Sequence, residues 1–141
     1  MDDLSWLAKH RFQEIIRFEC NWTFVFDGGV ELRADCLWRL IENGRIRVTS
    51  QDDGHQFGRP TPVDAVLELN QRLAGAAVNS VALHEGTLDL EIQFGTGHAI
   101  QLIPDSSGYE AWEAHDQSRQ FIAVGGGDLA VFKRTSEDSE L

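Results

Sequence analysis

Basic side chains are scarce in this chain: 12 Lys and Arg stand against 23 Asp and Glu, for a net charge of -11. The deficit is uneven. Residues 1–75 carry nine basic and twelve acidic side chains, and residues 76–141 carry three and eleven. A nucleic-acid binder needs cations to displace counterions from phosphate, so the composition argues against DNA or RNA as a partner. Anionic membrane surfaces are disfavoured for the same reason. The electrostatically natural partner is a protein with a basic surface, although the same charge also serves plain solubility. There is no run of 18 apolar residues that could cross a bilayer as a helix. The opening Met1-Asp2-Asp3-Leu4-Ser5-Trp6 places acids where a secretory signal needs positive charge, so the expected compartment is the cytoplasm. Two cysteines without CxxC spacing are too few for a disulfide framework.

Reactive-site motifs are also missing. The chain has no GxSxG elbow, no HxH or HExxH, and no Cys/His cluster. Asp52-Asp53-Gly54-His55 offers two carboxylates and an imidazole, but it lacks the alternate oxygen ligands and distal Glu of a calcium loop. Asp and Gly are expected in a turn in any case. His84, His98 and His115 lie on or beside strands, and a zinc site would require them to converge. Gly125-Gly126-Gly127-Asp128 has neither the Lys and Ser/Thr nor the following helix of a phosphate loop, and reads as a bulge or tight bend between strands. The expectation is no metal, no cofactor and no catalytic residues.

What the chain does contain is enough apolar material for one domain, expected over residues 1–134 with an acidic, disordered tail at 135–141: 42% of its residues are hydrophobic, with eight Phe and four Trp. Trp22-Thr-Phe-Val-Phe26 and Val30-Glu-Leu-Arg-Ala34 alternate around Asp27-Gly28-Gly29. A three-residue loop pairs Phe26 with Val30, Phe24 with Leu32 and Trp22 with Ala34, keeping every apolar side chain on one face. Extended outward, that register sets Cys20 opposite Cys36 on the apolar face, as two reduced core thiols or as a cross-strand disulfide. Asn43-Gly44 marks a second hairpin, with Ile41 facing Ile46 and Glu42 meeting Arg45. Ser50 to Arg59 reads as a loop, and Leu4 to His10 as a short helix with Leu4 and Leu7 inward.

Thr61-Pro62 opens the main helix, expected over about residues 62–74, with Thr61 as N-cap and Gly75 as the stop. Val63, Val66, Leu67, Asn70, Leu73 and Ala74 follow its spacing. A second meander pairs Val81 and Leu83 with Leu90 and Leu88, and Ile100 and Leu102 with Ile92 and Leu90. Final strands are expected around Tyr109–His115 and Phe121–Phe132, the latter interrupted by the three glycines. These elements predict an α+β fold of antiparallel meanders, as a curved sheet or two stacked sheets, with the helix packed on an apolar face.

Phe57-Gly58, Gly108-Tyr109-Glu110-Ala111-Trp112 and Gly125-Gly126-Gly127-Asp128-Leu129-Ala130-Val131-Phe132 together resemble a family of small uncharacterised bacterial proteins, in which a GYExW segment precedes a glycine-rich turn and a final apolar strand. The resemblance implies a bacterial, cytosolic protein and assigns no chemistry. In size and charge the chain is also similar to immunity proteins that neutralise secreted bacterial toxins. The leading expectation is therefore a non-catalytic protein-binding module, of immunity type, that meets its basic partner through Tyr109, Glu110, Trp112, Glu113 and Asp116. One alternative is a small-ligand binder or enzyme, with Asp53, His55 and His115 lining a pocket between helix and sheet. Another is a homo-oligomer, at simplest a homodimer, paired through exposed sheet edges.

Overall fold

The structure, a computed structural model, describes residues 4–134. In chain order its strands are β1 (Phe12–Phe18), β2 (Asn21–Phe26), β3 (Glu31–Ala34), β4 (Leu37–Glu42), β5 (Arg45–Thr49), β6 (Val78–Leu83), β7 (Leu90–Phe94), β8 (His98–Ile103), β9 (Trp112–His115), β10 (Arg119–Val124) and β11 (Asp128–Lys133), with helix α1 (Ala65–Leu73) between β5 and β6. They form a six-stranded sheet, β1-β2-β3-β9-β10-β11, and a five-stranded sheet, β5-β4-β8-β7-β6. Every strand pair is antiparallel. This is the expected α+β fold in its two-sheet form. The segment 135–141, expected as a disordered tail, lies outside the described residues.

Aromatic rings join the sheets. Trp38 of β4 meets Trp22 and Phe24 of β2 edge-on at 5.2 and 5.7 Å between ring centroids, and Phe94 of β7 stacks on Phe26 at 6.5 Å. All five rings are buried. Offset and edge-to-face contacts of this kind add to the apolar burial itself.

The first two hairpins have the predicted register: Trp22 pairs with Ala34 and Phe24 with Leu32, the Phe26 amide donates to Val30, and Ile41 faces Ile46 with Glu42 opposite Arg45. The Ile92–Ile100 and Leu90–Leu102 pairs also agree. The three glycines do not interrupt a strand; they form the turn of the β10–β11 hairpin. Leu4 to His10 reduces to a single 3-10 turn, Ser5–Leu7, with Leu4 and Leu7 buried as expected.

Strand β1 was not foreseen in the sequence, and three expectations are corrected. Strand β1 carries no clean alternation, because a bulge between Phe12 and Glu14 turns Phe12 and Ile15, three positions apart, to the same interior. Cys20 does not face Cys36: with Glu19 at φ +53 the chain turns just before β2 begins, leaving Cys20 exposed while Cys36 is buried, and both thiols are free. Val81 and Leu83 pair with Ile92 and Leu90, because Leu88 takes φ +64 and leaves the strand for the turn.

The third concerns the helix, which starts at Ala65 rather than after Thr61. Val63 is held by backbone bonds, donating to the His55 carbonyl and accepting from the Gly54 amide, both at 2.8 Å. Asp64 is the N-cap, accepting from Leu67 N at 3.1 Å. The inward stripe is Ala65, Leu69 and Leu73, while Leu67 is exposed. Asn70 Oδ1 accepts the Ile15 amide at 2.8 Å, so the helix covers the outer edge of β1.

The thiols differ in a testable way. Burial first, and the Asp105 charge second, push the Cys36 thiol up to about 12. At pH 8 a disulfide-exchange reagent should label one thiol per native chain and two in denaturant. Rapid native labelling of both would show that the Cys36 corner is open.

Candidate functional site

The chain passes between the sheets twice at one end of the molecule. Asp35 and Cys36 carry it from β3 to β4, and residues 104–111 carry it back from β8 to β9. The β3–β9 and β4–β8 pairings bring these crossovers together, and the Asp35 amide donates to the Ala111 carbonyl at 2.8 Å. Between them lies an open groove of about 500 Å³, lined by Asp35, Asp105, Ser106, Tyr109, Glu110 and Ala111.

Ser106 sets the shape of the rim. Its Oγ accepts the amides of Gly108 and Tyr109 at 3.0 and 2.9 Å. The resulting turn leaves the Tyr109 ring 82% exposed. Arg33 is the local cation: its Nε donates to Asp35 at 3.3 Å, and its guanidinium lies 3.2 Å from Glu113 and 3.9 Å from Glu110. Among the described residues no cation lies within ion-pair distance of Asp105. Other arginines are engaged elsewhere. Arg72 binds Glu68 and Glu42 at 2.8 and 3.0 Å, and Arg17 binds Asp53 at 2.5 Å. The groove is therefore acidic in excess, with an aromatic ring at its lip.

The expected partner-binding residues divide. Tyr109 and Glu110 line the groove, and Glu113 adjoins it through Arg33 while accepting from Gln120 at 2.6 Å. Trp112 is 1% exposed and its indole Nε1 donates to the Leu88 carbonyl at 3.0 Å, so it belongs to the core and not to a surface. Asp116 shapes the β9–β10 turn. Burial works to raise its carboxyl, but hydrogen bonds from the Ser118 and Arg119 amides and the Ser118 hydroxyl, with the Arg119 charge, hold it below the usual carboxylate range.

The alternative polar trio is not brought together. Asp53 caps the first turn of α1 through Ala65 N at 2.8 Å, and His55 stacks on Phe57 in the exposed loop before it. His115 stands on the outer face of the six-stranded sheet, 3.7 Å from Glu113. His84 and His98 are also apart: His84 meets Thr87, while His98 sits between Thr96 and Glu42. That hydrogen bond from His98 is the foremost cause holding the Glu42 carboxyl below its usual range; desolvation, next in size, works to raise it, and the charges of Arg72, His98 and Arg47 lower it further. Among the described residues no three His, Cys, Asp or Glu side chains are grouped to hold a metal ion.

Sequence reasoning missed Asp35 and Asp105. A signal for Asp35 lies in its place between two strands that alternation marks, but its neighbour across the groove depends on long-range pairing. A second concavity, about 360 Å³, was also missed; it lies on the outer face of the five-stranded sheet. A ladder crosses it: Arg39 donates to Gln101 Oε1 at 2.9 Å, and Gln101 donates to Glu91 at 2.7 Å.

Fold and groove together define a class: a two-sheet antiparallel α+β protein with an acidic, tyrosine-lipped surface where the chain crosses between sheets. Residues 4–133 match the model of a family of unknown function, DUF6188, and the chain belongs to that family. No curated protein and no solved structure matches it.

Proposed function

We propose that this chain is a non-catalytic protein-binding module that docks a basic protein surface in the end groove. The observation that carries the reading is Tyr109, its ring almost wholly in solvent beside Asp35, Asp105 and Glu110. An exposed tyrosine supplies a large anchoring area with few rotamers to freeze. Asp105, with no cation within ion-pair distance among the described residues, is poised for Lys or Arg, Asp35 and Glu110 share the single Arg33, and an acidic field speeds capture of a cationic partner. Neutralisation of a basic toxin in the bacterial cytoplasm, as an immunity protein does, is the biological form that suits this chemistry, with the likeness in size and charge as its support.

The test is in vivo cross-linking in the native host, followed by titration of the recovered protein against purified variants. The expected partner is basic, its association slows steeply with salt, and Tyr109→Ala weakens binding by about thirtyfold, a hot-spot loss near 2 kcal/mol. Asp105→Asn should lower the association rate more than it raises the dissociation rate. An acidic partner, or binding indifferent to both substitutions, would overturn the reading.

A further inference from the structure

The two sheets have four edges, and three are protected. Helix α1 and the backbone of residues 75 and 76 cover β1: Asn70 takes the Ile15 amide, and Ala76 takes the Phe12 amide at 2.9 Å. Strand β5 carries Arg45 and Arg47 and bulges at Arg47. Strand β6 has a bulge after Val78, whose backbone bonds to Lys9 and His10. Such devices are how natural sheets avoid edge-to-edge pairing. Among the described residues strand β11 is neither covered nor bulged, and its charged side chains, Asp128 and Lys133, stand only at its two ends. Its register with β10 is unbroken over six pairs, it contains no proline, and Val131 and Phe132 are 41% and 52% exposed.

We infer that β11 is a homodimer interface, where two copies of the chain pair antiparallel about a two-fold axis through Val131 and join their six-stranded sheets. The register follows from strand geometry. Arg134 N donates to the Ser118 carbonyl at 2.9 Å, so backbone groups of even-numbered residues point toward β10. Those of Leu129, Val131 and Lys133 therefore point to the open edge. A two-fold axis normal to the sheet keeps each side chain on its own face, which allows Val131 to meet its copy and sets Leu129 against Lys133 and Ala130 against Phe132. The same register puts Asp128 opposite Arg134, twice.

Charge selects this register over the neighbouring one centred on Ala130, which would put Asp128 against Phe132. In the monomer neither Asp128 nor Arg134 has an ion-pair partner among the described residues; the Arg134 guanidinium donates only to the Asp116 carbonyl, at 2.9 Å. Large Phe132 also falls beside small Ala130, as complementary packing requires.

Sedimentation of the full chain over a wide concentration range tests this. The expected species has twice the mass of the 15.8 kDa chain. Val131→Pro should give monomers with unchanged circular dichroism, because the amide it removes faces away from β10. Asp128→Arg or Arg134→Asp alone should weaken dimerisation by roughly tenfold, since symmetry doubles each like-charge contact. The double exchange should restore it, a rescue that an unfolded variant could not show. A chain monomeric at every concentration overturns the proposal. So does a dimer insensitive to these changes, or a monomer that dimerises only after residues 135–141 are deleted, which would make that segment the occupant of the edge.

Discussion

Replacing Trp112 with alanine should remove roughly 5 kcal/mol of folding stability, a large share of the 5–15 kcal/mol typical of a domain. Two effects add. Truncating a fully buried Trp leaves a cavity, at about 3–5 kcal/mol. The Leu88 carbonyl, on a residue only 1% exposed, also loses the indole donor 3.0 Å away, which costs about 1–3 kcal/mol if nothing replaces it. Trp112→Phe separates them: it keeps most of the ring and drops the donor, so it should lose about 1–3 kcal/mol. Urea unfolding monitored by circular dichroism gives both values, and the alanine variant should melt about 10–20 °C lower. A loss under 1 kcal/mol would mean that Trp112 is not seated in the core, which would return it to the candidate surface.

The second large effect is expected at Gly127. Its φ is +87, and an added Cβ would stand 1.8 Å from the Gly86 carbonyl oxygen. The β10–β11 turn thus lies backbone against backbone on the turn between β6 and β7. Gly127→Ala should cost about 3–5 kcal/mol, combining the left-handed penalty of a side chain with displacement of a packed turn. Gly44 is the internal control: its φ is +78, but nothing lies within 4 Å of the added atom. Gly44→Ala should lose only about 1 kcal/mol. Equal losses at both positions in thermal melts would show that the turn-on-turn contact contributes nothing.

How much of this was legible depended on sequence distance. The β2–β3 and β4–β5 hairpins and the β7–β8 pairing could be read because alternation and turn chemistry fix register locally, as Phe24 with Leu32 and Ile92 with Ile100 show. Strand β1 was not, because its bulge sets the buried Phe12 and Ile15 three positions apart, a spacing that suits one face of a helix and breaks the two-residue alternation of a strand. The helix phase slipped because Val63, in step with the apolar pattern, is already committed to backbone bonds with residues 54 and 55. Within Gly108 to Trp112, spacing could not decide which aromatic points out. The Ser106 turn and the Leu88 carbonyl decide it, and Leu88 is an acceptor only because it left its strand. The groove was half legible: Tyr109 and Glu110 were read from the sequence, but Asp35 and Asp105 join them through pairings between distant segments.

The seam at the centre of the six-stranded sheet joins Ala34 to Trp112 and Glu31 to His115, about 80 positions apart, with the whole five-stranded sheet lying between them in the chain. Neither half of the larger sheet can zip to the other until that intervening segment has brought the two ends close. Such a topology has a high contact order and belongs with slow-folding all-β chains, whose half-sheets wait with unpaired edges in a crowded cell. The acidic charge then has a use during folding itself, because like-charged, half-assembled chains repel one another while the seam is still open.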